Sequence, residues 1–130
     1  MELILDTNFV VAADREAKRR AEGPAHAFLA GHLHDTFFIT FTIAGELACG
    51  RSASALADWK RLCRPYTILP WNRDVSWQYG QCYRTLQDIG TLIGTNDLWI
   101  AATALVHGMP VVTNNTADFS RVHGLTVLSF

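Results

Sequence analysis

Four of the twelve acidic residues in this chain have apolar neighbours or sit where a strand passes into a helix. Asp6 closes the run Leu3-Ile4-Leu5. Glu46 lies in Thr42-Ile43-Ala44-Gly45-Glu46-Leu47-Ala48. Asp97 follows Gly94-Thr95-Asn96, and Asp118 sits in Thr116-Ala117-Asp118-Phe119. Taken one at a time, each has a simpler reading. Asp6, with Thr7 and Asn8 behind it, suits a helix N-cap. Asp97 suits a first helical turn, where the helix dipole favours an acid. Asp118 suits a turn or cap. Glu46 fits the solvent side of an amphipathic helix, although a helix packed closely through Gly45 and Ala48 would turn it into a cleft. The other acids (Glu2, Asp14, Glu16, Glu22, Asp35, Asp58, Asp74, Asp88) stand in polar or helix-surface contexts and need no function.

Together the four imply chemistry that none implies alone. Crowded carboxylates repel and cannot all stay ionised cheaply. A hard divalent cation resolves the conflict, and an all-oxygen donor set with no Cys or His favours magnesium or manganese over zinc. Such a centre suits phosphoryl chemistry, in which a metal polarises phosphate oxygens and supplies hydroxide from water. The helix N-terminus is expected to lower the Asp97 pKa and keep that ligand ionised. No Ser/His/Asp set stands out, and Gly90 and Gly94 lack the spacing of a phosphate loop.

These acids can meet only if the elements between them bring them to one edge. Apolar runs at Glu2–Leu5, Phe37–Thr40, Tyr66–Leu69, Val111–Thr113 and Thr126–Leu128 predict buried strands. Helices are predicted over Asn8–Asp14, Ala25–His32 (after Gly23-Pro24), Ile43–Cys49, Ala53–Leu62, Val75–Ile89 and Leu98–His107. The last is the clearest: Leu98, Ala101, Ala102 and Leu105 fall on one face, and Gly108 stops it. Alternating strands and helices argue for an α/β fold, a mostly parallel sheet covered on both faces. Sites in such sheets lie beyond the carboxyl ends of the strands, where Asp6 and Asp118 are placed.

The length of 130 residues with 49% apolar composition fits one domain, residues 1–130, with a sizeable core. No apolar run reaches the length of a membrane span, and the start of the chain does not read as a signal peptide, so the expected compartment is the cytoplasm. Cys49, Cys63 and Cys82 have no paired spacing and are expected as buried free thiols. The formal charge of -1 excludes a polycation, so nucleic acid could be held only by a local basic face or through metal ions. Arg15 with Lys18-Arg19-Arg20 could flank the cleft or form a solvated face. Lys60, Arg61 and Arg64 read as a solvated face. Trp59, Trp71, Trp77 and Trp99 read as packing or contact residues, Trp99 as packing or a subunit contact. His32 and His34 read as surface residues, and His26, His107 and His123 have no evident partners.

The motifs carrying the acids resemble, in order, those of the PIN-domain ribonucleases, and in particular the VapC-like toxins of type II toxin–antitoxin systems. Leu3-Ile4-Leu5-Asp6-Thr7-Asn8 resembles the first motif. Thr42 to Gly50, with its Glu-Leu core, resembles the second. Ile93-Gly94-Thr95-Asn96-Asp97-Leu98-Trp99-Ile100-Ala101-Ala102 resembles the third and is the most specific. Val112-Thr113-Asn114-Asn115-Thr116-Ala117-Asp118-Phe119 resembles the fourth, followed by a family-like tail, Val122 to Val127.

The resemblance implies a three-layer α/β/α sandwich and magnesium- or manganese-dependent hydrolysis of RNA. Asp6, Asp97 and Asp118 would be metal ligands, with Glu46 completing the site directly or through water. Thr113 and Asn115 would hold the carboxylates or the attacking water, and Asn8 would support Asp6. It further implies products with 5′-phosphate and 3′-hydroxyl ends, a VapB-like antitoxin as partner, and a homodimer. Three other readings remain open: a PIN nuclease of RNA processing without an antitoxin, a non-catalytic module binding RNA or protein, and a phosphatase using Asp6 as nucleophile. The last would want an acid where Asn8 stands.

Overall fold

The computed structural model describes residues 1–130. Its centre is a five-stranded sheet in the order β3-β2-β1-β4-β5, formed by β1 (Glu2–Leu5), β2 (Thr36–Thr40), β3 (Thr67–Leu69), β4 (Val111–Val112) and β5 (Val127–Leu128). Every pair is parallel. The chain first steps outward from β1 to β2 and β3, then returns to the other side of β1 for β4 and β5. The strand order therefore reverses between β1 and β4, and the right-handed crossover rule sends the two sets of connecting helices to opposite faces. Central β1 is covered on both sides, with Leu3, Ile4 and Leu5 fully buried. That is why it reads as a continuous apolar run instead of an alternating one.

The helices are α1 (Thr7–Arg19), α2 (Pro24–Ala30), α3 (Phe41–Ala48), α4 (Leu56–Cys63), α5 (Arg73–Asp88), α6 (Thr95–His107) and α7 (Thr116–Phe119). Local chemistry sets their ends. Asp6 caps α1 by accepting from the Thr7 N–H at 2.8 Å. Thr40, fully buried, caps α3 by accepting from the Ile43 N–H at 3.2 Å. Asn72 caps α5 through the Val75 N–H at 2.9 Å. Helix α6 ends at Gly108, whose left-handed backbone (φ 65°) closes the last turn, a conformation that costs glycine least.

Several boundaries depart from the sequence expectation. Helix α1 continues past Asp14 to Arg19. The extension, Arg15-Glu16-Ala17-Lys18-Arg19, has no apolar stripe but consists of good helix formers, tied by a Lys18–Asp14 contact of 2.9 Å. The predicted helix Ala25–His32 stops at Ala30, and α4 starts at Leu56 because Arg51–Ala53 forms a separate single 3-10 turn. Helix α7 was not anticipated: four residues are too short for any periodicity to show. The predicted apolar face of α6 is only part of what it buries. Ile100 and Ala104 are fully buried as well, because α6 is packed against α5 as well as the core. Cys63 and Cys82 are buried as expected, but Cys49 is exposed at the end of α3. No helix is long and apolar enough to cross a membrane.

Phe9 locks the start of α1 to the core. It is fully buried and meets Phe28 and Phe130 edge-on, with ring centroids 5.5 and 4.7 Å away. Replacing Phe9 by Ala removes this packing and leaves a cavity, with an expected loss of about 3–5 kcal/mol. Urea denaturation should show it as a lower midpoint with little change in slope, and a loss under about 1 kcal/mol would contradict the packing described here.

Candidate active site

The reversal between β1 and β4 leaves a crevice at the carboxyl ends of these strands, the usual place for a site in an open parallel sheet. Asp6 is the residue after β1 and Thr113 the residue after β4. The ladder runs on into them: the Asp6 N–H donates to Val112 O at 3.0 Å, and the Thr113 N–H donates to Leu128 O at 2.9 Å. Both side chains are buried, Asp6 at 4% exposure and Thr113 at 0%. The Thr113 hydroxyl donates to Asp6 Oδ2 at 2.7 Å and accepts from the Asn115 N–H at 2.9 Å. Asn8 Nδ2 lies 3.0 Å from Asp6 Oδ2 and 3.2 Å from Thr113 Oγ1, and its own oxygen accepts from the Asn114 N–H at 3.3 Å. Asp6 thus caps a helix through Oδ1 and joins this network through Oδ2. The cap reading and the site reading are both true of it.

The remaining acids are tied in by neutral donors. Asn115 Nδ2 donates to Asp97 Oδ2 at 2.9 Å and to Asp118 Oδ2 at 3.2 Å, so one amide bridges the first turn of α6 and α7. On α3, Glu46 accepts from the Thr7 hydroxyl at 2.8 Å through Oε1 and from Asn96 Nδ2 at 3.4 Å through Oε2. All seven residues singled out in the sequence therefore enter one crevice. Thr7 and Asn96 were missed. Their only signal was position, each being the polar neighbour of an acid in its motif.

Burial and mutual repulsion act on the acids together. The Asp97 carboxyl is pushed up to about 6, first by burial and then by the charges of Asp6, Glu46 and Asp118, against one favourable hydrogen bond from Asn115. The expected lowering by the helix N-terminus is outweighed. Burial likewise raises the Asp6 pKa, with Glu46 adding to it, while hydrogen bonds from Thr113, Thr7 and Asn8 pull it down. Neither Asp6, Glu46 nor Asp97 has a Lys or Arg within ion-pair distance; Asp118 alone has one, Arg121 at 3.6 Å.

No three His, Cys, Asp or Glu side chains stand close enough together, as placed, to hold a metal ion. The donor chemistry nevertheless fits a hard divalent cation. It is all oxygen, rich in negative charge and almost free of competing cations, and its strained ionisation is what a bound cation would relieve. Asp97 is held through Oδ2 alone, leaving Oδ1 available.

Other residues weighed in the sequence lie elsewhere. Lys18 sits roughly 16 Å along α1 from Thr7 at 1.5 Å per residue and pairs with Asp14, and none of Arg15, Lys18, Arg19 or Arg20 forms an ion pair with the four acids. Arg61 pairs with Asp58 at 3.1 Å on the surface. Trp99 packs, stacking on Tyr79 at 4.1 Å and meeting Phe41 edge-on at 6.1 Å. His32 is not a simple surface residue: its ring stacks on Phe28 at 4.0 Å, and Nδ1 is 2.6 Å from Asp35.

Comparison with known proteins places this geometry in company. The family model described as PIN domain matches residues 3–125. Ribonuclease VapC1 of Rickettsia felis is 30% identical, covering 99% of this chain and 96% of that protein. Ribonuclease VapC1 of Haemophilus influenzae strain R2866 is 27% identical, covering 96% and 95%. Among solved structures, VapBC2 from Rickettsia felis bound to a DNA fragment from the promoter superposes with a TM-score of 0.81 at 21% identity, covering 100% of this chain and 99% of that one. VapBC-1 from nontypeable Haemophilus influenzae gives 0.78 at 25% identity, covering 99% and 98%.

The raised Asp97 pKa has a consequence for stability. Its folded value of about 6 lies above the unfolded value, so its contribution is most favourable below about pH 4 and is lost as pH rises through 6. At pH 7.5 and without divalent metal, Asp97→Asn should therefore raise the melting temperature by roughly 2–5 °C. The gap should close as pH falls from 6 to 4. A lower melting temperature for the variant at pH 7.5 would refute the crowding.

Proposed function

The chain belongs to the PIN-domain family, and on that premise we propose that it is a metal-dependent endoribonuclease, the toxin of a VapBC-type toxin–antitoxin pair. The observation that carries the reading is the set of four acids drawn to one crevice and held there by neutral donors. The names of its relatives support RNA as substrate. That several solved neighbours are VapBC complexes supports a VapB-like antitoxin as partner. We take the working compartment to be the cytoplasm and the working form to be a homodimer.

Asp6, Asp97 and Asp118, with Glu46 directly or through water, would hold magnesium or manganese. When bound, that cation would polarise the phosphate and supply hydroxide from water near neutral pH. The chain's own groups do the positioning. Thr113 gives its one hydroxyl proton to Asp6 Oδ2 and so fixes that carboxylate's rotation. Asn115 spans Asp97 and Asp118 and fixes their separation. Thr7 aims Glu46 across the crevice. These bonds orient the carboxylate oxygens toward the crevice, and the cation they would hold, not the carboxylates themselves, would offset the negative charge developing on the phosphate. The reaction is in-line hydrolysis of a phosphodiester, leaving a 5′-phosphate and a 3′-hydroxyl, with no side-chain nucleophile.

The phosphatase reading loses support here. The position where it needs a second acid is Asn8, and that amide is engaged with Asp6 and Thr113.

Purified protein should cleave RNA with magnesium or manganese and stop when EDTA is added. Asp6→Asn and Asp97→Asn should each lower the rate at least about 100-fold while keeping the fold by circular dichroism, whereas Asp74→Asn on the outside of α5 should cleave as wild type. Cleavage unchanged in both site variants would sink the assignment. Because the cation must displace a proton from Asp97, manganese affinity should fall as pH drops through about 6, the range set by the raised Asp97 value. Titration calorimetry at pH 5.5 and 7.5 reads this directly, and equal affinities would remove Asp97 from the ligand set.

A further inference from the structure

Arg121 is the one Lys or Arg within ion-pair distance of the acid cluster, and nothing so far has given it a task. Its backbone is fixed. The Arg121 N–H donates to Asp118 O at 3.1 Å, and the chain around it is pinned by Phe119, fully buried, and Val122, 4% exposed. Its side chain is not fixed in the same way. Nη1 lies 3.6 Å from Asp118 Oδ1 and 3.5 Å from the Leu92 carbonyl, both at the outer limit of contact, and the side chain is 44% exposed. An exposed pair of that length contributes little to stability. A guanidinium carries five donors, and here two long contacts occupy one nitrogen.

A polyanion approaching this crevice meets four carboxylates, and the other basic clusters lie along α1 and α4. A guanidinium on a rigid mount at the rim, loosely tethered, has the form needed to take a phosphate. Its fork matches two phosphate oxygens at once, a geometry an ammonium cannot reproduce. Leu92, which supplies that carbonyl, is 43% exposed and offers apolar surface beside the cation, on which a base could rest.

We infer that Arg121 is a positioning residue that seats a backbone phosphate of single-stranded RNA at the rim of the acid cluster. The inference rests on the ribonuclease reading. The competing account is that Arg121 only offsets the charge of Asp118.

The test is fluorescence anisotropy of a fluorescein-labelled oligouridylate titrated with metal-free protein at several salt concentrations, so that binding is read without cleavage. Arg121→Gln should weaken binding about tenfold, and the slope of log affinity against log salt should shrink by about 0.7, the value of one phosphate contact on a single strand. Arg121→Lys should keep the wild-type slope but recover only part of the affinity. In cleavage assays Arg121→Gln should raise KM with kcat within about twofold, the pattern of lost substrate binding. Wild-type affinity, slope and KM in Arg121→Gln would overturn the inference while leaving the ribonuclease reading intact. Wild-type protein that cleaves no RNA in magnesium or manganese would instead bring down that reading and this inference with it. Should Arg121→Gln not fold, Arg121→Lys decides: affinity equal to wild type overturns the inference, and weaker binding at an unchanged slope supports it.

Discussion

The hydroxyl of Thr113 joins two strand ends that the chain reaches more than a hundred residues apart. It donates to Asp6 Oδ2 and accepts from Asn115, so the carboxyl end of β1, that of β4 and the loop leading to Asp118 share one oxygen. The geometry of the site descends from this link. Asp6 holds the start of α1, which carries Thr7 toward Glu46, and Asn115 carries Asp97 and Asp118. The donors that gather the acids are neutral, and this matters. A lysine in the place of Asn115 would satisfy the carboxylates permanently and leave no reason for a cation to bind. Amides and hydroxyls orient the acids without cancelling their charge, so the repulsion among them survives folding and remains available to function.

Keeping like charges together needs a scaffold that cannot relax away from them. The sheet supplies it. Buried β1 sits between β2 and β4, and the Asp6 N–H extends the β4 ladder to Val112 O, so Asp6 cannot move outward without breaking it. Helix α6 is buried at Leu98 and from Ile100 to Ala104, and that fixes Asp97 at its first turn. The packing of Phe9 against Phe28 and Phe130 does the same for the first turn of α1. Each acid stands within a turn of a packed element, which is how a core with no functional groups of its own still sets their spacing.

Much of this was legible in the sequence. All five strands left apolar runs bounded by polar or turn residues. Asp6 and Asp118 stood where a strand passes into a helix, Asp97 at a helix start and Glu46 within a helix of small and apolar residues. Thr113, Asn115 and Asn8 were legible only through resemblance to a known motif, since a Thr or Asn in a loop has no periodicity of its own. What stayed hidden has physical causes. The second half of α1 owes its helicity to propensity and an ion pair instead of an apolar stripe. Helix α7 is shorter than any periodic signal. The direction of the Asp97 shift is set first by burial and then by three acids remote in sequence, neither of which local sequence displays. Arg121 carried no signal because an exposed arginine in a loop is the most ordinary of residues until its neighbours are known.

The charge distribution finally bears on how a chain with a net charge of -1 can handle a polyanion at all. Of the basic residues of α1 and α4, Lys18 pairs with Asp14 and Arg61 with Asp58, and none pairs with the four acids. At the crevice itself the local charge is negative, and a single guanidinium cannot reverse the sum of four carboxylates. A polyanion and any species that neutralises those acids would therefore bind with positive coupling. Linkage then requires the reverse as well: the neutralising species is held more tightly when RNA is present. Such a crevice would hold a polyanion weakly on its own and more tightly once its acids are neutralised, and both effects would come from the same carboxylates.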